Sequence, residues 1–138
     1  MTDPFVADCS VAIAWIHPAQ RTELSRQLLE NAKNGAEVHV PAIWHLEVAN
    51  ALLAAVRRKL LAESHRQAGL ALLNQLKLMI DHETSVMAFS TTSNLAIQNS
   101  LSVYDAAYLE LALRKSLPLG TRDEPLKTAA TKSGVRLL

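Results

Sequence analysis

Cysteine, glycine and aromatic residues are scarce in this chain of 138 residues, and each scarcity excludes something. The single cysteine, Cys9, cannot close an internal disulfide, which fits a reducing, cytoplasmic setting. Only four glycines and five prolines are present, and they form no cluster, so no linker divides the chain. The few large aromatics, Trp15, Trp44, Tyr104 and Tyr108 among them, read as core or interface residues rather than as a base-stacking platform. No apolar run approaches the ~18 residues of a membrane span, so no membrane partner is expected. The opening "MTDPFVADCS" lacks the basic segment of a secretory signal. A net charge of +1 neither demands nor excludes a polyanion. Arg57 to Lys59 is the one tight basic cluster, and it reads as a solvated helix end.

What is present is a chain of one-domain size, 1–138, in which short strands alternate with helices. "PFVAD" is a strand, and a brief helix follows at Val11 to Ile16. Thr22 caps a helix that Gly35 ends. "EVHV" is a second strand. Pro41 opens a long helix whose Leu46, Ala49, Leu53, Val56 and Leu60 share one face at steps of three and four, the spacing of a buried stripe. A helix covers Glu63 to Met79, "HETSVM" is a third strand, and a helix near Thr92 to Asn99 leads into "LSVYDAAYLELALR". "LPLGT" is a strand, Gly134 closes a last helix, and "VRLL" is a final strand. The alternation predicts an α/β fold, a short parallel sheet with helices on both faces. In such sheets sites form at the carboxyl ends of strands.

Acids stand at those ends. Asp8 closes the first strand, Asp123 follows "LPLGT", Asp105 lies in the first turn of its helix, and Glu47 sits beside Leu46 in the long helix. Asn50, three residues on, shares the Glu47 face. Each acid also has a plainer role open to it. Ser102 to Asp105 and Thr121 to Glu124 both fit capping boxes, Asp123 fits an N-cap ahead of Pro125, and Asp8 fits the turn into the next helix. Glu47, among Ile43, Trp44, Leu46, Val48 and Ala51, is the hardest to leave in water. Together the plain roles weaken. Clustered carboxylates repel, burial without a counter-charge is costly, and no Lys or Arg neighbours Asp8, Glu47 or Asp105 in sequence. A hard divalent cation on oxygen ligands resolves that repulsion.

Other chemistries fail on missing parts. His45 to Glu47 matches the H-x-E of zinc deaminases, but one cysteine cannot supply their P-C-x-x-C. There is no H-E-x-x-H, G-x-S-x-G, Walker loop or G-x-G-x-x-G. Asp81 to Glu83, "DHE", reads as a solvated turn rather than a metal site.

Four stretches, "FVADCSVAIAWI", "PAIWHLEVANAL", "LSVYDAAYLELA" and "LPLGTRDEPLKTAA", resemble the successive motifs of PIN-domain nucleases, and most closely the VapC-type toxins of toxin–antitoxin pairs. The likeness runs from Phe5 to Leu138. It implies a single PIN-like domain and an endoribonuclease that uses Mg²⁺, with Mn²⁺ as a substitute. It also implies an RNA substrate, a cognate antitoxin protein and a homodimer. Asp8, Glu47, Asp105 and Asp123 carry over as catalytic and metal-site acids, with Ser10, Asn50 and Thr121 as supporting polar positions. The chain departs from the pattern at Gly120, where a larger apolar residue is common, and at Glu124, an added charge beside the fourth acid. Three rival readings stay open. They are an RNA-processing PIN nuclease without antitoxin, a non-catalytic RNA-binding or scaffold module, and a Mg²⁺ phosphatase. All four acids are present, which speaks against the module. The phosphatase lacks its D-x-D, since Cys9 and Ser10 follow Asp8.

Overall fold

The computed structural model describes residues 3–138; the first two residues of the expected span lie outside it. Four parallel strands form one sheet in the order β3-β2-β1-β4: β1 (Phe5–Ala7), β2 (Val38–Pro41), β3 (Leu78–Asp81) and β4 (Leu119–Gly120). Successive strand side chains point to opposite faces, yet Phe5, Val6 and Ala7 are all buried. Both faces of β1 are therefore covered, as parallel sheets require. This is the expected α/β architecture.

The helices are α1 (Cys9–Ile16), α2 (Glu23–Lys33), α3 (Trp44–Arg57), α4 (Glu63–Leu73), α5 (Thr84–Met87), α6 (Ser93–Asn99), α7 (Val103–Lys115) and α8 (Glu124–Lys132). Thr22 caps α2 in a reciprocal box with Ser25, and Gly35, at a φ of 102° that side chains resist, ends it. Helix α4 comes close to α1 because Gly69 lacks a side chain; a Cβ there would lie 2.4 Å from Ile16 Cγ2.

Four local expectations are corrected. Pro41 ends β2 instead of opening α3, with Ala42 and Ile43 forming the turn between them. The buried stripe of α3 is Trp44, Val48 and Leu52, not the Leu46 stripe: Leu46 is 76% exposed and Leu60 64%. Both stripes have helical spacing, and the core takes the one with the tryptophan. The third strand is "LMID", which starts inside the span expected to be helical, while "HETSVM" leads into α5. That helix passes through a π-helical turn, Ala88–Thr92, into α6, and Ser93 Oγ donates to the Ala88 carbonyl at 2.6 Å. Finally, "VRLL" makes only an isolated bridge, Leu137 to Leu119.

Candidate metal centre

The site grows from the pairing of β1 with β4. Their register sets Ala7 beside Gly120, so the next residues, Asp8 and Thr121, emerge side by side at the carboxyl end of the sheet. Gly120 leaves room for α2 on that end of the sheet, because a Cβ there would press on Leu28 at 3.1 Å. The two strands then leave by short helical turns. Asp8 is the N-cap of α1 and Asp123 the N-cap of α8, each accepting from the backbone N–H three residues on, at 3.2 Å from Val11 and 3.0 Å from Leu126. The Thr121–Glu124 box is not formed, since Asp123 takes the cap.

Two hydroxyls anchor Asp8 to the β4–α8 connection. The Arg122 N–H donates to Ser10 Oγ at 2.9 Å, and Ser10 Oγ donates to Asp8 Oδ1 at 2.5 Å. In parallel, the Asp123 N–H donates to Thr121 Oγ1 at 3.0 Å, and Thr121 Oγ1 donates to Asp8 Oδ2. With the Val11 N–H, Asp8 accepts three hydrogen bonds. A carboxylate has about four lone-pair sites, so Oδ2 keeps one to present. Burial pushes the Asp8 carboxyl above its ordinary range, the three donors pull it back, and Asp105 adds repulsion.

Glu47 approaches from the first turn of α3, nearer the helix start than expected, and Asp105 from the first turn of α7. Burial raises both carboxyls; Asp105 and Asp8 raise Glu47 further, and Asp123 does so for Asp105. These mutual effects put Asp8, Glu47 and Asp105 within electrostatic reach of one another, and Asp123 within reach of Asp105. Cys9 lies within that reach too. Burial first, then Glu47, Asp8 and Asp105, push its thiol up to about 12. Among the described residues, no cation offsets Asp8, Glu47 or Asp105.

Ser102 caps α7 by accepting the Asp105 N–H at 3.0 Å, but the return bond from the Asp105 carboxylate is not made. The cap therefore leaves Asp105's charge free. Asn50 is exposed one turn beyond Glu47.

Sequence spacing did not single out Tyr108. Its hydroxyl donates to Glu47 Oε1 at 2.5 Å across 61 positions, and its ring is buried. The signal available was its place three residues after Asp105, on the same side of α7. "DHE" is neither solvated as a unit nor free for metal. Asp81 is buried and bound by both Nη atoms of Arg114, which also holds Glu110 and Glu83.

Among the described residues, no three His, Cys, Asp or Glu side chains converge tightly enough to grip one ion by themselves. The donor set nonetheless suits a hard cation: all oxygen, uncompensated, and spread so that waters complete the shell. Mg²⁺ characteristically binds in that way, through one or two carboxylates.

The structure resembles the crystal structure of PAE2754 from Pyrobaculum aerophilum, with a TM-score of 0.66 and 20% sequence identity. The match covers 94% of this chain and 86% of that one, a likeness of fold. No curated protein matches the sequence. The family model of the PIN domain matches residues 5–132, a span that holds all four acids and both hydroxyls on Asp8. The chain belongs to the PIN-domain family.

Proposed function

We propose that this protein is a metal-dependent endoribonuclease and the toxin of a toxin–antitoxin pair. PIN domains are generally nucleases and typically use divalent ions, which supports the coarser half of the reading. The observation that supports the metal reading is the set of four acids from the end of β1, α3, α7 and the β4–α8 connection, while the RNA and toxin reading rests on the likeness of the four motif stretches to VapC-type toxins. Three of these acids are held above their ordinary pKa with no cation among the described residues to offset them. Such a cluster is costly to keep unless an ion completes it.

Asp8, Glu47 and Asp105 would hold the first ion, directly or through water. Asp123 uses Oδ2 to cap α8, which leaves Oδ1 to orient water or help hold a second ion. Bound there, Mg²⁺ or Mn²⁺ supplies a water of lowered pKa and neutralises charge that develops on the phosphate. Ser10 and Thr121 hold Asp8 in place and are themselves held by backbone N–H groups. Arg122 extends from this connection, and its guanidinium Nη1 donates only to neutral Gln20, at 3.2 Å, which leaves its charge available to an RNA phosphate.

Two partner readings go with this. The acids suit a bidentate arginine from a small antitoxin, which would displace the ion. The exposed apolar stripe of Val86, Phe89 and Ile97 suits a second copy of the chain.

The test is RNA cleavage by purified protein. Cleavage is expected with Mg²⁺ or Mn²⁺, to be lost in EDTA and to return with added metal. Full cleavage in excess EDTA, from a preparation free of other nucleases, overturns the metal reading. An upstream-encoded partner that neither copurifies nor relieves toxicity overturns the toxin reading.

A further inference from the structure

A glutamate on a surface helix is a poor ligand unless something holds it still. Glu47 has three rotatable side-chain bonds, and on one side its helix faces water: Leu46, the preceding residue, is 76% exposed. Left alone, the carboxylate gains entropy and hydration by swinging outward, away from Asp8 and Asp105. Among the described residues its one side-chain hydrogen-bond partner is Tyr108, whose hydroxyl donates to Oε1 at 2.5 Å. Tyr108 is 1% exposed, so its ring is fixed by packing and its hydroxyl has no water to turn to. As a core filler alone, phenylalanine would serve equally well.

We propose that Tyr108 is a positioning residue for the metal centre, pinning Glu47 by Oε1 so that Oε2 faces the ion. This rests on the metal reading of the acid cluster. Helix α7 then contributes twice from neighbouring turns, Asp105 as an acid and Tyr108 as the holder of an acid on α3. The groups that face Glu47 are Asp105 and Asp8, with Cys9 beside them, and none of these can donate an ion pair to it. Burial, and then Glu47 itself, push the Tyr108 hydroxyl well above its ordinary pKa, so it remains a donor throughout the working range.

The probe is Mn²⁺ alone, added to chelator-stripped protein and followed by calorimetry and electron paramagnetic resonance. Second-shell partners of metal ligands typically contribute 10–100-fold in affinity. Tyr108→Phe should accordingly weaken Mn²⁺ binding by at least about 10-fold, while the metal-free melt moves little because the ring stays. The spectrum of bound Mn²⁺ should also change, as Glu47 becomes free to bind through both oxygens. A folded Tyr108→Phe protein with wild-type affinity and spectrum overturns the inference while leaving the metal reading intact. Wild-type protein that takes up no Mn²⁺ at millimolar concentration overturns both. Glu47→Asp probes the bond from its other end, since the shortened side chain cannot reach Tyr108. Wild-type Mn²⁺ affinity in Glu47→Asp overturns the inference even if Tyr108→Phe fails to fold. Where both fold, the double variant should lose no more than the weaker-binding single one; additive losses overturn it.

Discussion

Asp105 separates a cap from a catalyst at the scale of one residue. Ser102 already supplies the cap, and it does so without Asp105's carboxylate. Asp105→Asn should therefore leave α7 intact. Burial, and then Asp123, raise the Asp105 pKa, so its charged form is disfavoured in the folded state. The sign follows from linkage: a raised acid favours folding below its ordinary pKa, and that contribution is lost as pH rises through the raised value. Asp8 and Glu47 act in the same direction. Metal-free Asp105→Asn should thus melt at or above the wild-type temperature at pH 7, with the gain fading toward pH 4. Its RNA cleavage should fall at least ~100-fold, about 2.7 kcal/mol of transition-state stabilisation. Near wild-type cleavage by the folded variant would return Asp105 to a local role. The same linkage makes Mg²⁺ protect more at pH 8 than at pH 5, since it competes with protons for these acids. At 100 times Kd the gain is about 2.7 kcal/mol, and thermal melts at the two pH values read it.

Two helices must keep their spacing for Glu47 to face Asp105, and a second network braces them at the scale of elements. All five N–H groups of Arg114 are engaged: Nε and Nη2 with Glu110, both Nη atoms with Asp81, and Nη1 also with Glu83. Thr84 Oγ1 donates to Asp81 and accepts the Ala42 N–H at 2.9 Å, which ties the start of α3 into the same bracket. Burial alone would raise the Asp81 carboxyl, but Arg114, the Glu83 N–H and Thr84 bring it below its ordinary value. Its contribution to stability is present above the unfolded pKa and is lost as pH falls through the folded value. Arg114→Met removes the cation and leaves Asp81 and Glu110 buried, at a cost of about 3 kcal/mol. The variant should gain more stability than wild type on mild acidification, because burial without Arg114 raises the Asp81 carboxyl that the guanidinium otherwise holds down; urea melts at two pH values decide. Only the Glu110–Arg114 pair of this bracket has local helical spacing; Arg114 meets Asp81 across 33 positions, a pairing that local spacing does not carry. Tyr108 escaped for the same reason. The places of Asp8 and Asp123, each just past a strand and at the cap of the next helix, were legible, since strand ends and caps are local signals. The third strand was hidden because "LMID" continues an apolar helical pattern, and the turn at residues 74–76 that separates it from α4 carries no Gly or Pro. The α3 face was misread because the helix is apolar on two sides, and periodicity cannot tell which side the core takes.

The second side of α3 belongs to a larger question at the scale of the molecule. Phe89 is 99% exposed, Ile97 78%, Val86 71% and Tyr104 62%, an unusual amount of apolar surface for a monomer. If the helical run from α5 to α6 is the seam between two copies, Phe89→Glu should convert a dimer to a monomer in light scattering. The monomer should keep its melting temperature, since Phe89 packs on nothing within the chain. Wild-type protein that is monomeric at high micromolar concentration sinks this proposal, as does a Phe89→Glu protein that stays dimeric.

The hydroxyl of Thr121 and the carboxylate of Asp8 lie 113 positions apart, and the strand that brings them together, β4, is the last to be made. During synthesis the nascent chain carries Asp8, Glu47 and Asp105 long before it carries Thr121 or Asp123. Until β4 docks on β1, Asp8 lacks a donor on Oδ2 and the fourth acid is absent. On the proposed RNA-cleaving function this order of assembly would act as a safeguard: the ribosome that makes the chain, and the message it reads, would be spared until β4 has been made and has docked.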